Sequence, residues 1–128
     1  MVKKVSVGGS KKILIGITDD APQVATALAQ LLEHNGFDTY QASDGSDAVH
    51  LTEEKKPALL ICDIRLGGIS GYDVARMLPK QKILFITGFD IEKEKIAGLS
   101  NVVGTMRKPI DIDRLLELIN KVLGLKDK

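Results

Sequence analysis

A chain of 128 residues with 44% hydrophobic and 27% charged residues is long enough for one domain with a packed core. Its 18 Lys and Arg against 17 Asp and Glu leave a formal net charge of +1, which argues against a nucleic-acid surface with its usual basic excess. No apolar run nears the ~18 residues needed to span a bilayer, no signal-peptide core opens the chain, and the single cysteine excludes an internal disulfide, so a cytoplasmic domain away from membranes is expected.

Residues 1–10 are basic, contain glycines and alternate weakly, and read as a flexible arm or short extra strand ahead of a domain over 11–128. "GGSKK" lacks the spacing of a phosphate-binding loop, and no G-x-G-x-x-G follows the first strand, so a dinucleotide site is excluded. Residues 13–18 form that strand and run into Asp19 and Asp20. Pro22 suits the first turn of a helix whose apolar stripe is Val24, Leu28, Leu31 and Leu32, and Asn35-Gly36 stops it. "FDTYQA" is a strand, and "SDGSDAVHLTEEKK" a turn and helix ended by Pro57. The apolar run 58–62 is a buried strand closed by Asp63, and a short helix follows from Gly71 to Leu78. "KILFIT" is a strand ending on Thr87, and "IEKEKIAG" suffices for two turns of helix. "NVVGTM" is a weak fifth strand leading to Lys108-Pro109. The last helix carries Ile112, Leu115, Leu116, Ile119, Val122 and Leu123 on one face, with Asp111 as N-cap.

Five strands alternating with five helices predict a doubly wound α/β domain, a parallel sheet covered on both faces. Such sheets bind ligands at the carboxyl ends of their strands. Asp19, Asp20, Asp63, Thr87 and Lys108 all stand at those ends, so the fold would gather them at one rim. Carboxylates crowded together repel, and Mg²⁺, which favours oxygen ligands, would relieve that. A carboxylate can also attack phosphorus and form an aspartyl phosphate. Lys108 would then supply a cation, Thr87 a hydroxyl donor, and Gly67, Gly68 and Gly71 a loop able to approach closely.

With "DDAP" (19–22), "DIRLGGISG" (63–71), "ITG" (86–88) and "KPI" (108–110) in this order, the chain from Lys11 to about Leu125 resembles the receiver domain of two-component response regulators. The resemblance implies a flavodoxin-like three-layer sandwich with strand order 2-1-3-4-5. It implies that Asp63 is the phosphoacceptor for a phosphohistidine on a histidine kinase or histidine phosphotransfer protein. Asp20, Asp63 and the backbone carbonyl of Arg65 would bind Mg²⁺ directly, and Asp19 chiefly through water. Thr87 and Lys108 would each hold a phosphoryl oxygen. The output would be a changed protein-binding surface rather than an enzymatic product. Because few residues follow the last helix, a single-domain regulator or a piece of a longer chain is expected.

Three departures from the family pattern stand out. Gly67 replaces a frequent proline, which loosens the loop after Asp63. Thr105 replaces the usual Tyr or Phe that turns inward with the threonine, and "FITGFD" resembles the FATGY signature of a receiver subgroup that departs from that switch. Signalling by ordering of residues 88–100, whose helix is short and contains Gly98, is therefore the working expectation. Arg65 and Phe89 flank the approach of attacking water in the family, and their bulk predicts slowed hydrolysis.

Each feature has a plainer reading when taken alone. Asp19 and Asp20 could be a helix cap, Thr87-Gly88 a turn, and Lys108 a solvated lysine. Five such coincidences at one rim favour the functional reading. Cys62 reads as core, His34 and His50 as surface, Asp44 and Asp47 as turn and helix start, and Tyr72 as a packing residue. A haloacid-dehalogenase-type phosphotransferase also uses a strand-end Asp, but it needs a second Asp where Arg65 stands. A degenerate receiver that binds partners constitutively is opposed by Asp20, Asp63, Thr87 and Lys108, and left open by Thr105.

Overall fold

The computed structural model describes residues 12–125, and the arm anticipated over 1–10 lies outside them. Five strands, β1 (Leu14–Thr18), β2 (Asp38–Ala42), β3 (Leu59–Asp63), β4 (Ile83–Thr87) and β5 (Val102–Arg107), pair in parallel in the order β2-β1-β3-β4-β5. Between and after them come α1 (Pro22–His34), α2 (Gly45–Lys55), α3 (Gly71–Met77), α4 (Lys93–Ile96) and α5 (Ile112–Leu123). This is the doubly wound flavodoxin-like α/β fold.

The sheet sits at the centre because its middle strands are apolar on both sides. Every residue of β3 and β4 is buried, as expected where helices cover both faces. Alternation then sorts them. Leu59, Ile61, Leu84 and Ile86 join Ile15 and Ile17 against Leu28 and Leu32 of α1 and Leu115 and Ile119 of α5. Leu60, Cys62, Ile83 and Phe85 face Val49 of α2 and Tyr72 and Val74 of α3.

Local chemistry sets the helix ends. Pro22 opens α1 without a side-chain cap. Asp44 accepts from the Asp47 amide at the start of α2, and Lys56 closes that helix in the left-handed region at φ 51°. Ser70 and Asp73 form a reciprocal capping box on α3. Asp111 caps α5 by accepting from the amides of Asp113 and Arg114, and Gly124 ends it at φ 68°.

Two expectations need correction. The buried face of α1 is Ala25, Leu28, Ala29 and Leu32. Val24 and Leu31 are only partly buried, and the small Ala25 and Ala29 take the sheet-facing positions beside Leu28 and Leu32. The helix expected over 91–98 is one turn, Lys93–Ile96, with no side-chain cap and no buried residue. Gly98, at φ 89°, breaks the chain direction just beyond it. Among the described residues, no helix is long and apolar enough to cross a membrane.

Candidate functional site

Strand register assembles the rim. Thr18 pairs with Cys62, so the next residues, Asp19 and Asp63, lie side by side. Asp63 pairs with Ile86, which sets Thr87 one step higher on the adjacent strand. Thr87 pairs with Arg107, and the Lys108 amide then donates to the Thr87 carbonyl at 2.8 Å. From there the lysine side chain reaches back past β4. Its Nζ donates to Oδ2 of Asp19 and to Oδ2 of Asp63, each at 2.9 Å.

Asp19 and Asp63 are only 1% and 5% exposed, whereas Asp20 faces solvent. Burial chiefly holds the Asp63 carboxyl above the usual aspartate range, and the charge of Asp19 adds to this. Lys108 and the Arg65 amide, 3.3 Å from Oδ1, pull the other way. Partial burial works against the Lys108 ammonium, but its hydrogen bonds and charge attraction to Asp19 and Asp63 outweigh that and raise it. Burial, reinforced by the same two carboxylates, pushes the Cys62 thiol up and keeps it protonated and inert.

The loop after β3 is fastened to the phosphoacceptor candidate by Gly71. Its amide donates to the Ile64 carbonyl at 2.8 Å, and a Cβ there would lie 2.6 Å from the Asp63 carbonyl oxygen. Gly67 and Gly68 face open space instead, with Gly68 at φ 84°. Of the three loop glycines, only Gly71 makes a close approach, and it does so to backbone.

Thr87 is buried at the end of β4, where its Oγ1 accepts from the Phe89 amide at 3.1 Å. Phe89 is 51% exposed, and the Arg65 guanidinium lies 3.9 Å from its ring centroid. This cation–π stack bridges the loops after β3 and β4 beside the carboxylates. Thr105, expected to replace an inward-turning aromatic, is exposed on β5.

Asp19, Asp20 and Asp63 each offer a carboxylate oxygen within 4.8 Å of the others. Hard oxygen donors with one member open to water suit a divalent cation that keeps part of its hydration shell, as Mg²⁺ does. The donor set fits the ion. Asp19, Asp20, Asp63, Thr87 and Lys108 thus converge as the sequence predicted, and the Arg65 amide joins them at Asp63. His34 and His50 are exposed. The sequence did not signal the direct Asp19–Lys108 pair, the Arg65–Phe89 stack, or a hydrogen bond from the Glu92 amide to the Tyr72 hydroxyl at 3.0 Å.

A doubly wound sheet, an acidic trio at its carboxyl edge, and a threonine and lysine closing the neighbouring strands define a receiver-type architecture. The model of the response regulator receiver domain matches residues 15–120, and the chain belongs to that family, a component of two-component systems. It is 37% identical over 94 residues to the alkaline phosphatase synthesis transcriptional regulatory protein PhoP of Bacillus subtilis, covering 70% of this chain and 38% of that protein. The chain therefore spans well under half the length of that relative. Protein PilH of Pseudomonas aeruginosa is 32% identical over 115 residues, covering 84% of this chain and 95% of that one. The crystal structure of a CheY-like receiver domain protein from Methanospirillum hungatei superposes with a TM-score of 0.83 at 22% identity, covering 89% of this chain and 95% of that one, which establishes the shared fold.

Proposed function

We propose that Asp63 accepts a phosphoryl group from a phosphohistidine on a histidine kinase or histidine phosphotransfer protein, and that the aspartyl phosphate changes a protein-binding surface. The observation that carries this reading is the placement of Lys108 Nζ 2.9 Å from both Asp19 and Asp63 at the end of a wholly buried strand. A carboxylate oxygen of Asp63 attacks phosphorus. The P–N bond to the donor imidazole breaks, and its electron pair returns to the ring nitrogen, which takes up a proton. Lys108, released from Asp63, turns to a phosphoryl oxygen, and the Thr87 hydroxyl donates to another. Asp20, Asp63 and the Arg65 carbonyl would hold Mg²⁺, with Asp19 acting on it through water. When bound, the ion would supply charge neutralisation between the carboxylates and the incoming phosphoryl oxygens.

A protein donor also needs a seat. A groove of about 520 Å³ opens beside Lys108, lined by Val24, Ala27, Leu28, Leu31, Ile110 and Ile112. Its apolar wall suits the face of a partner helix carrying the phosphohistidine. In this reading the domain is a cytoplasmic, phosphorylation-controlled binding module rather than an enzyme acting on a separate substrate.

Intact-mass measurement after incubation with acetyl phosphate tests the chemistry. One phosphoryl group is expected on the wild type with Mg²⁺, with little after chelation and none on Asp63→Asn. Equal labelling of the Asn variant, or no labelling of the wild type, would overturn the reading in favour of a constitutive binding module.

A further inference from the structure

The segment 88–96 is attached far more thinly than the rest of the rim. Its one helical turn buries no residue and has no side-chain cap, too short to persist by itself. Apart from the Phe89 amide on Thr87 Oγ1, two hydrogen bonds reach it from other elements among the described residues. One is Arg107 to Asp90, with side chains 59% and 96% exposed, where such pairs hold little. The other is the Glu92 amide donating to the Tyr72 hydroxyl at 3.0 Å.

Tyr72 is well placed to be an anchor. It is 3% exposed and follows Gly71, whose backbone is pressed against the Asp63 carbonyl. Its ring meets Phe85 edge-on, with centroids 5.6 Å apart, and Phe85 lies two residues before Thr87 on β4. The Lys95 ammonium sits 5.5 Å from the centroid of the same ring. One side chain thus touches the strand that carries Thr87 and meets both Glu92 and Lys95 of the α4 segment, one residue along from the glycine that approaches Asp63.

We propose that Tyr72 is a positioning residue for output, its hydroxyl acting as a latch that docks the α4 segment in the unphosphorylated protein and releases it on phosphorylation. This rests on the receiver reading of Asp63. Turning the Thr87 hydroxyl towards a phosphoryl group moves Oγ1 off the Phe89 amide, and Phe89 shifts with its Arg65 partner. Glu92, three residues on, is then drawn from Tyr72. The tyrosine does the coupling for which the exposed Thr105 offers no aromatic ring. Release is the reverse of the ordering expected from the sequence, because the α4 turn is already docked.

Amide-resolved hydrogen exchange on wild type and Tyr72→Phe, with and without Mg²⁺ and beryllofluoride, tests the latch. Phe keeps the buried ring and removes only the acceptor. Without the phosphoryl mimic, the Glu92 amide should exchange about fivefold or more faster in Tyr72→Phe. Arg107→Gln, which removes the other hydrogen bond from outside the segment, should leave Glu92 protected. With the mimic, wild-type Glu92 should accelerate to the Tyr72→Phe level. Residues 90–96 of the variant should change no further, while 19, 20, 63 and 87 respond alike in both proteins. Unaltered Glu92 protection in Tyr72→Phe, or a full response of 90–96 in that variant, would overturn the latch alone. Protection of wild-type Glu92 that rises with the mimic would also overturn it. Silence at 19, 20 and 63 in the wild type would overturn the receiver reading, and the latch with it.

Discussion

Around Asp63, β3 and β4 are buried at every position, and Gly71 fastens the following loop to the strand end. One strand further along the same sheet, α4 buries nothing, and Thr105 and Arg107 of β5 are exposed. Both regions face the same rim, yet one is packed on all sides, while the other has the partly buried Ile91 and Ile96, a tyrosine hydroxyl, a cation–π stack and a surface ion pair to hold it. The contrast teaches a division of labour. In the proposed phosphoryl transfer, a carboxylate that meets metal, phosphorus and lysine within fractions of an ångström belongs on a rigid element. A surface that must change belongs where few contacts have to be broken, so that it can move without opening the core.

The largest expected effect comes from removing the cation at the packed end. Lys108→Met leaves Asp19 and Asp63 buried without a countercharge and should cost about 3 kcal/mol in urea unfolding without divalent ions. A loss within 0.5 kcal/mol, the ordinary range for surface changes, would break the contrast. Gly71→Ala comes next. Its Cβ would meet the backbone of Asp63 and Ile64 at 2.6 and 2.8 Å, and a cost of about 2 kcal/mol is expected.

Asp63→Asn sharpens the electrostatic side. The folded pKa of Asp63 lies above its unfolded value, so its protonation favours the fold. That contribution is full below the ordinary aspartate pKa and is lost as pH rises through the folded value. At neutral pH the charge is therefore a burden, and Asp63→Asn should be more stable than wild type. The gap should close as pH falls towards about 4. An Asn variant less stable than wild type at neutral pH would mean that Lys108 overcompensates the charge. The support from Lys108 follows the same rule over a higher window: its raised pKa keeps the contribution through neutral pH and loses it only as pH climbs towards the folded lysine value. The smallest effect belongs to the thin side. Phe89→Ala removes the ring under Arg65 and should shorten the aspartyl-phosphate lifetime about threefold with little change in stability. An unchanged lifetime would remove the stack from the path of water.

How much of this was legible in the sequence follows from what each feature depends on. The strands and their carboxyl ends could be read because burial on both faces demands apolar runs, and polar residues interrupt them only where the chain leaves the sheet. Asp63 after "ALLIC" and Thr87 after "ILFI" are signals of that kind. The core face of α1 was partly hidden because Ala25 and Ala29 bury little area of their own and gain their place from neighbours. The length of α4 depends on tertiary support that Ile91 and Ile96 supply only in part, and local pattern overstates it. Lys108 bridging Asp19 and Asp63, 89 and 45 residues away, and Tyr72 meeting Glu92 across 20, are products of the assembled sheet. No spacing rule encodes them.

The identity of the labelled residue bears most directly on the role of Asp63. Protein phosphorylated with acetyl phosphate and Mg²⁺ should be reduced with borohydride, which converts an aspartyl phosphate to homoserine, and then mapped by peptide mass. Phosphoryl transfer as described here predicts homoserine at position 63 and nowhere else. Homoserine at 19 or 20, or a label that persists in Asp63→Asn, would contradict it.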